Sequence, residues 1–148
     1  MFRENFKMVG ELNLRLVDSS GNIKLDKNYP NLVVMTGKEY VTQRMTSNSA
    51  PIMSSIAVGS DNTSPVIGDT GLLAEISRVS LTSANVVSNT VTYISTFLPG
   101  NGTGALQEAG IFNSGTSNSG TMLCRTTFPV VNKESDDTFT ITWNVTPV

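Results

Sequence analysis

Clusters of turn-forming residues at positions 99–104, 113–120 and 133–137 cut the second half of the chain into pieces that suit strands and are too short for helices. The pieces between them, residues 90–98, 106–112, 121–128 and 138–145, are rich in Thr, Val, Ile and aromatic side chains. Together with residues 78–82 they predict a succession of short strands joined as antiparallel hairpins. In the last piece Phe139, Ile141, Trp143 and Val145 fall on one face, so this strand supplies the largest aromatic contribution to the core, with Phe112 a further core aromatic.

The first half adds a hairpin and a helix. Leu12, Leu14 and Leu16 alternate with polar residues and point inward; Asp18-Ser19-Ser20-Gly21-Asn22 turns the chain, and Ile23-Lys24-Leu25 resumes the alternation. Leu32-Val33-Val34 reads as a short buried strand. Thr36 and Glu39 have the spacing of a capping box, and Tyr40, Val41, Arg44 and Met45 form a face, which predicts a helix over residues 37–46. Residues 56–59 read as a strand emptying into an exposed loop, and residues 71–76 as one helical turn. The fold class is mainly β, an antiparallel β-sandwich or a partly closed barrel with one short helix. A single domain over residues 8–148 follows an extended arm over residues 1–7.

Composition narrows the function. Ser, Thr and Asn supply 49 of the 148 residues and charged residues only 15%, so the surface is polar but largely uncharged. The net charge of −2 is spread along the chain with no basic run, which argues against nucleic-acid binding. No apolar stretch approaches the roughly twenty residues that cross a bilayer as a helix. The first residues alternate charge and aromatic and lack the apolar core of a signal peptide, which predicts a protein made and kept in a cytoplasm until a later release.

Histidine is absent and Cys124 stands alone, which points to a non-enzymatic protein without cofactor or metal. Several residues have the types that chemistry would need. Asp136, Asp137 and Glu108 are the carboxylates available for glycoside hydrolysis, but Asp136 and Asp137 suit a turn. The glycine-rich stretch 100–104 has the composition of a phosphate loop, but a strand follows it where a helix is needed, so it reads as a hairpin loop. Asp61, Asn62, Asp69 and Thr70 offer oxygen ligands for a hard cation, yet their spacing matches no calcium loop and they read as solvated turn residues. Cys124 reads as a small buried thiol. Glu108, flanked by Leu106, Ala109, Ile111 and Phe112, must face solvent or pair with a cation, and Arg125 and Arg78 are the candidates. Phe2, Arg3 and Phe6 on the arm are candidate docking residues, because exposed phenylalanines need a surface to cover them.

A set of short motifs recurs in order from residue 31 to the end: Asn31-Leu32-Val33-Val34 with Thr36-Gly37, Ile56-Ala57-Val58-Gly59, Gly71-Leu72 with Glu75 and Arg78, Glu108-Ala109-Gly110-Ile111-Phe112, Gly120-Thr121-Met122-Leu123-Cys124-Arg125, and Thr142-Trp143-Asn144-Val145. Their order and spacing resemble a family of small bacteriophage virion structural proteins found among capsid-decoration, neck and tail components. The resemblance implies a β-sandwich module in the virion that assembles as a homo-oligomer, a trimer by preference. Its partners would be other virion proteins, the major capsid protein foremost. The leading expectation is a decoration or cement protein that bridges and stabilises capsid subunits. A neck, tail or baseplate or fibre component is the alternative within that class, and a host-surface glycan-binding module the alternative outside it. Within the resemblance, Glu108 with Arg125 or Arg78 is an ion pair that fixes strand register.

Overall fold

The computed structural model describes residues 4–46 and 50–148. Phe2 and Arg3, two of the candidate docking residues, lie outside the described residues. The chain runs through β1 (Met8–Val17), β2 (Ile23–Pro30), β3 (Leu32–Val33), α1 (Met35–Arg44), β4 (Ser55–Gly59), β5 (Glu75–Ser80), β6 (Ser83–Val87), β7 (Thr90–Phe97), β8 (Gly104–Phe112), β9 (Met122–Lys133) and β10 (Thr138–Pro147). These strands make two five-stranded antiparallel sheets, ordered β2-β1-β10-β7-β6 and β3-β9-β8-β4-β5. The sheets do not close into a barrel, so the sandwich is the architecture and the barrel alternative falls away.

The alternation read from the sequence sets which face each strand buries. Leu12, Leu14 and Leu16 of β1, Phe97 of β7, and Phe139, Ile141, Trp143 and Val145 of β10 meet Ile56, Val58, Leu106, Ala109, Ile111, Cys124, Phe128 and Val131 from the opposite sheet. The β1–β2 turn closes as its residues dictate: Asp18 Oδ1 accepts the amides of Ser20 and Asn22, both at 2.9 Å, and Gly21 takes a φ of 85°. A second, smaller cluster of Val34, Ala57, Phe112 and Met122 with Leu72 is separate from the first. Phe112 is buried, but among these residues and not beside Trp143.

Other expectations change. The helix starts earlier and ends sooner than residues 37–46, and no capping box forms. Val34 holds the N-cap position, while the Thr36 hydroxyl donates 2.9 Å across to the Met122 carbonyl of β9. Gly37 lets the helix lie against β9, since a Cβ there would strike the Leu123 backbone. Of the proposed helical face, Tyr40 is buried, whereas Arg44 and Met45 are exposed. Residues 71–74 form bends and not a helical turn, because the amides of Leu73 and Ala74 are held by the Glu108 carboxylate. Strand β5 begins at Glu75, ahead of residue 78, and β6 is a strand with no counterpart in the sequence reading. The glycine-rich stretch 100–104 is not a hairpin loop: β7 and β8 belong to different sheets, and it carries the chain from one to the other.

Candidate functional site

The residues with the most chemical potential gather on the face of the second sheet that points away from the main core. Glu108 on β8 and Arg125 on β9 are neighbours across the strand pair, because Gly110 is the register partner of Arg125. Both side chains are fully enclosed, and Arg125 Nη2 and Nε reach the same Glu108 oxygen at 2.9 and 3.1 Å. The 60–74 connection folds over them. Arg125 Nη1 donates to the Thr63 carbonyl at 3.0 Å and to Asp69 at 3.1 Å, and Asp61 lies 3.9 Å from Nη2. Glu108 in turn accepts the backbone amides of Leu73 at 3.1 Å and Ala74 at 2.8 Å. Gly59 leaves the room this needs, since a Cβ there would meet Glu108 and the Ala74 carbonyl.

Arg78 does not pair with Glu108. It holds Glu75 at 2.7 and 3.2 Å, stacks 3.9 Å over the Phe112 ring, and donates to the Ser114 and Ser119 carbonyls at 2.9 and 2.8 Å. Each arginine therefore ties one long loop to the sheet: Arg125 the 60–74 connection, Arg78 the 113–121 connection. Charge-assisted bonds of this kind are the strong ones, and their partners here include backbone carbonyls of both loops.

The oxygen-rich loop is part of this arrangement. Asp61 and Asp69 face the Arg125 guanidinium, and Asp61 and Asp69 also accept the amides of Thr63 and Val66. The hydroxyl and amide of Thr63, with Arg125 farther off, hold the Asp61 carboxyl below its usual value. Among the described residues no cluster of His, Cys, Asp and Glu has the arrangement of a metal site.

Of the two remaining candidate carboxylates, Asp137 holds a turn. Asp137 accepts Lys24 Nζ at 2.7 Å and the Glu134 amide at 2.9 Å, while Asp136 is exposed. Lys24 and the Glu134 amide keep the Asp137 carboxyl below its ordinary value, and Asp137 raises that of Lys24. Lys133 is buried with its Nζ on the Leu98 carbonyl at 3.2 Å, and burial lowers its ammonium. Cys124 is fully buried, and burial pushes its thiol up, far from a reactive thiolate.

Trp143 is 0% exposed, and Phe139 also sits in the main core, so the indole offers no face to a ligand. Its Nε1 has no hydrogen-bond partner among the described residues. Tyr93, its register partner on β7, is pushed up to about 12 by burial. Phe6 is 70% exposed at the mouth of an apolar groove of about 690 Å³ between the start of β1, β3 and α1, lined by Val33, Val41 and Met45. Lys7 exchanges two backbone hydrogen bonds with Val148, so the arm is tied down there. Among the described residues no helix is long and apolar enough to cross a membrane.

Sequence reasoning left Glu108 with two candidate cations and took the 60–70 loop for solvated. What the sequence does not show is that the loop folds back, for which the acids Asp61 and Asp69 within it are the signal. Comparison of the chain with protein-family models, with curated proteins and with solved structures finds no match.

Proposed function

We propose that this chain is a non-enzymatic structural protein of a bacteriophage particle, a decoration or cement protein that bridges and stabilises neighbouring major capsid subunits. The observation that carries the reading is the use made of Glu108, Arg125, Glu75 and Arg78: they hold long loops to a sheet and present no free reactive group. A rigid body with immobilised loops suits a part that binds many identical surfaces, since little ordering entropy is lost on docking. The ordered motifs from Asn31 to Val145 support the virion class, and a homo-oligomer, a trimer by preference, is part of the proposal. The glycan-binding alternative needs an exposed aromatic platform, and Trp143, whose exposure would have favoured it, is buried as the strand alternation predicts.

The test is stoichiometry on purified particles. Copies in proportion to the capsid subunits support the decoration role. A single ring's worth of copies moves the protein to the neck, tail or baseplate, and its absence from particles overturns the virion reading.

A further inference from the structure

The two sheets end in four edge strands, β2 and β6 on one and β3 and β5 on the other. An edge exposes unpaired backbone groups, and proteins guard it with charge, proline, shortness or irregularity. β2 carries Lys24, Asp26, Lys27 and Pro30; β3 is two residues long; β5 holds Glu75 and Arg78 and meets a register shift at Gly59. β6, Ser-Ala-Asn-Val-Val, has none of these, and no charged residue occurs between Arg78 and Glu108.

The side chains of β6 are bare as well. Ala84 and Val86 pair with Tyr93 and Val91, which themselves pair with the core residues Trp143 and Val145, so they lie on the core side of the sheet. Val86 is nevertheless 69% exposed and Ala84 also faces solvent, because β6 projects past the opposite sheet. Val87 on the other face is 74% exposed.

The outward hydrogen-bonding groups can be assigned. Val87 and Thr90 flank a two-residue turn, in which Ser88 takes a φ of 55°, so they are the closing hydrogen-bonded pair. Alternation along an antiparallel strand then points the N–H and C=O of Ala84 and Val86 away from β7.

We infer that β6 is the docking edge for a second copy of this chain, paired antiparallel about a two-fold axis through Asn85. That axis sets Ala84 against Val86 of the second copy and Val86 against its Ala84, the residues whose backbone groups face outward. Their apolar side chains fall on one shared face, and the two Asn85 side chains come together on the other. The edge is complementary to itself, antiparallel like every strand pair in the sandwich, and carries no charge to repel its mate. Five residues give an edge about 17 Å long, a small interface, so association depends on concentration. The inference stands on β6 alone and concerns the free chain in solution; it is independent of the virion reading, whose trimer belongs to the assembled particle.

Sedimentation equilibrium of the purified chain over a wide concentration range, with amide hydrogen exchange on the same samples, tests it. The expected result is a monomer–dimer equilibrium in which the Ala84 and Val86 amides exchange more slowly as concentration rises. Val86→Lys, which places a charge on the edge, weakens association about tenfold or more. Ala84→Pro, which removes an outward N–H, does the same, and the unfolding midpoint of dilute protein reports that each variant is folded. A wild-type monomer at every concentration overturns the inference, as does a dimer whose Ala84 and Val86 amides exchange at the monomer rate. Should a variant fail to fold, the wild-type exchange pattern decides.

Discussion

On the outer face of the β3-β9-β8-β4-β5 sheet, Glu108 and Arg125 are sealed beneath the 60–74 connection and bonded to its backbone. On the outer face of the β2-β1-β10-β7-β6 sheet, Thr90 meets Thr146 at 2.8 Å, Thr92 meets Asn144 at 2.7 Å and Thr96 meets Thr140 at 3.2 Å, in rows over which no loop folds among the described residues. One face is a covered layer locked by charge; the other is a hydroxyl surface in contact with water. The difference teaches where the few charges of this chain matter. A buried ion pair gains little over an apolar pair of the same shape, but losing one partner is costly. A cross-strand Thr pair at a wet surface contributes a fraction of a kcal/mol, and losing it strands nothing.

The largest expected effect comes from breaking the lock. Arg125→Ala leaves Glu108 enclosed without its cation and releases Thr63 and Asp69; it should cost about 3–5 kcal/mol. For a chain of this size that lowers the thermal midpoint by about 10 °C or more, measurable by calorimetry. Glu108→Gln combined with Arg125→Met should recover part of the loss, since neither charge is then buried alone.

An intermediate effect concerns pH, at the turn that joins the two sheets. Asp137 is held below its ordinary value by Lys24 and the Glu134 amide. A carboxyl with a lower value in the folded state than in the unfolded one adds stability above the unfolded value and loses it as pH falls. The thermal midpoint should therefore drop from about pH 5 downward. Lys24→Met should flatten that part of the profile, and an unchanged profile would show that the pair is not felt.

The smallest effect is on the wet face. Thr140→Val, which deletes one hydroxyl of a cross-strand pair, should change stability by less than about 1 kcal/mol in either direction. A loss as large as that of Arg125→Ala would erase the contrast between the faces.

How much of this was legible in the sequence follows the same divide. The wet-faced sheet was readable because its strands alternate: Leu12, Leu14 and Leu16, then Phe139, Ile141, Trp143 and Val145, each with polar residues between. Its failure was β6, whose core-side residues Ala84 and Val86 are uncovered, so no burial pattern marks the strand, and a Ser-Asn turn without glycine follows it. The covered sheet was less readable because both its faces are buried, which removes the alternation: β4 is buried at every position. The sequence reading stopped β9 at Phe128, before a proline, yet the strand runs on to Lys133. Pro129 is tolerated because the ladder shifts register there, Leu106 pairing with Val131 and Glu108 with Thr127. That Glu108 needs a cation was visible from its apolar neighbours. Which arginine answers it was not, because the choice depends on strand order, which puts Arg125 on β9 beside β8 and Arg78 on β5 beyond β4, and on the folded loop.

The contrast between a locked face and an open edge is tested most directly by residue-resolved amide exchange of dilute wild-type protein. The account predicts that the Leu73 and Ala74 amides, which sit in a loop but donate to Glu108, exchange as slowly as amides in the centre of β8, while those of Ala84 and Val86, which sit in a strand, exchange fast. Fast exchange at Leu73 and Ala74, at the rate of an ordinary surface loop, would contradict it.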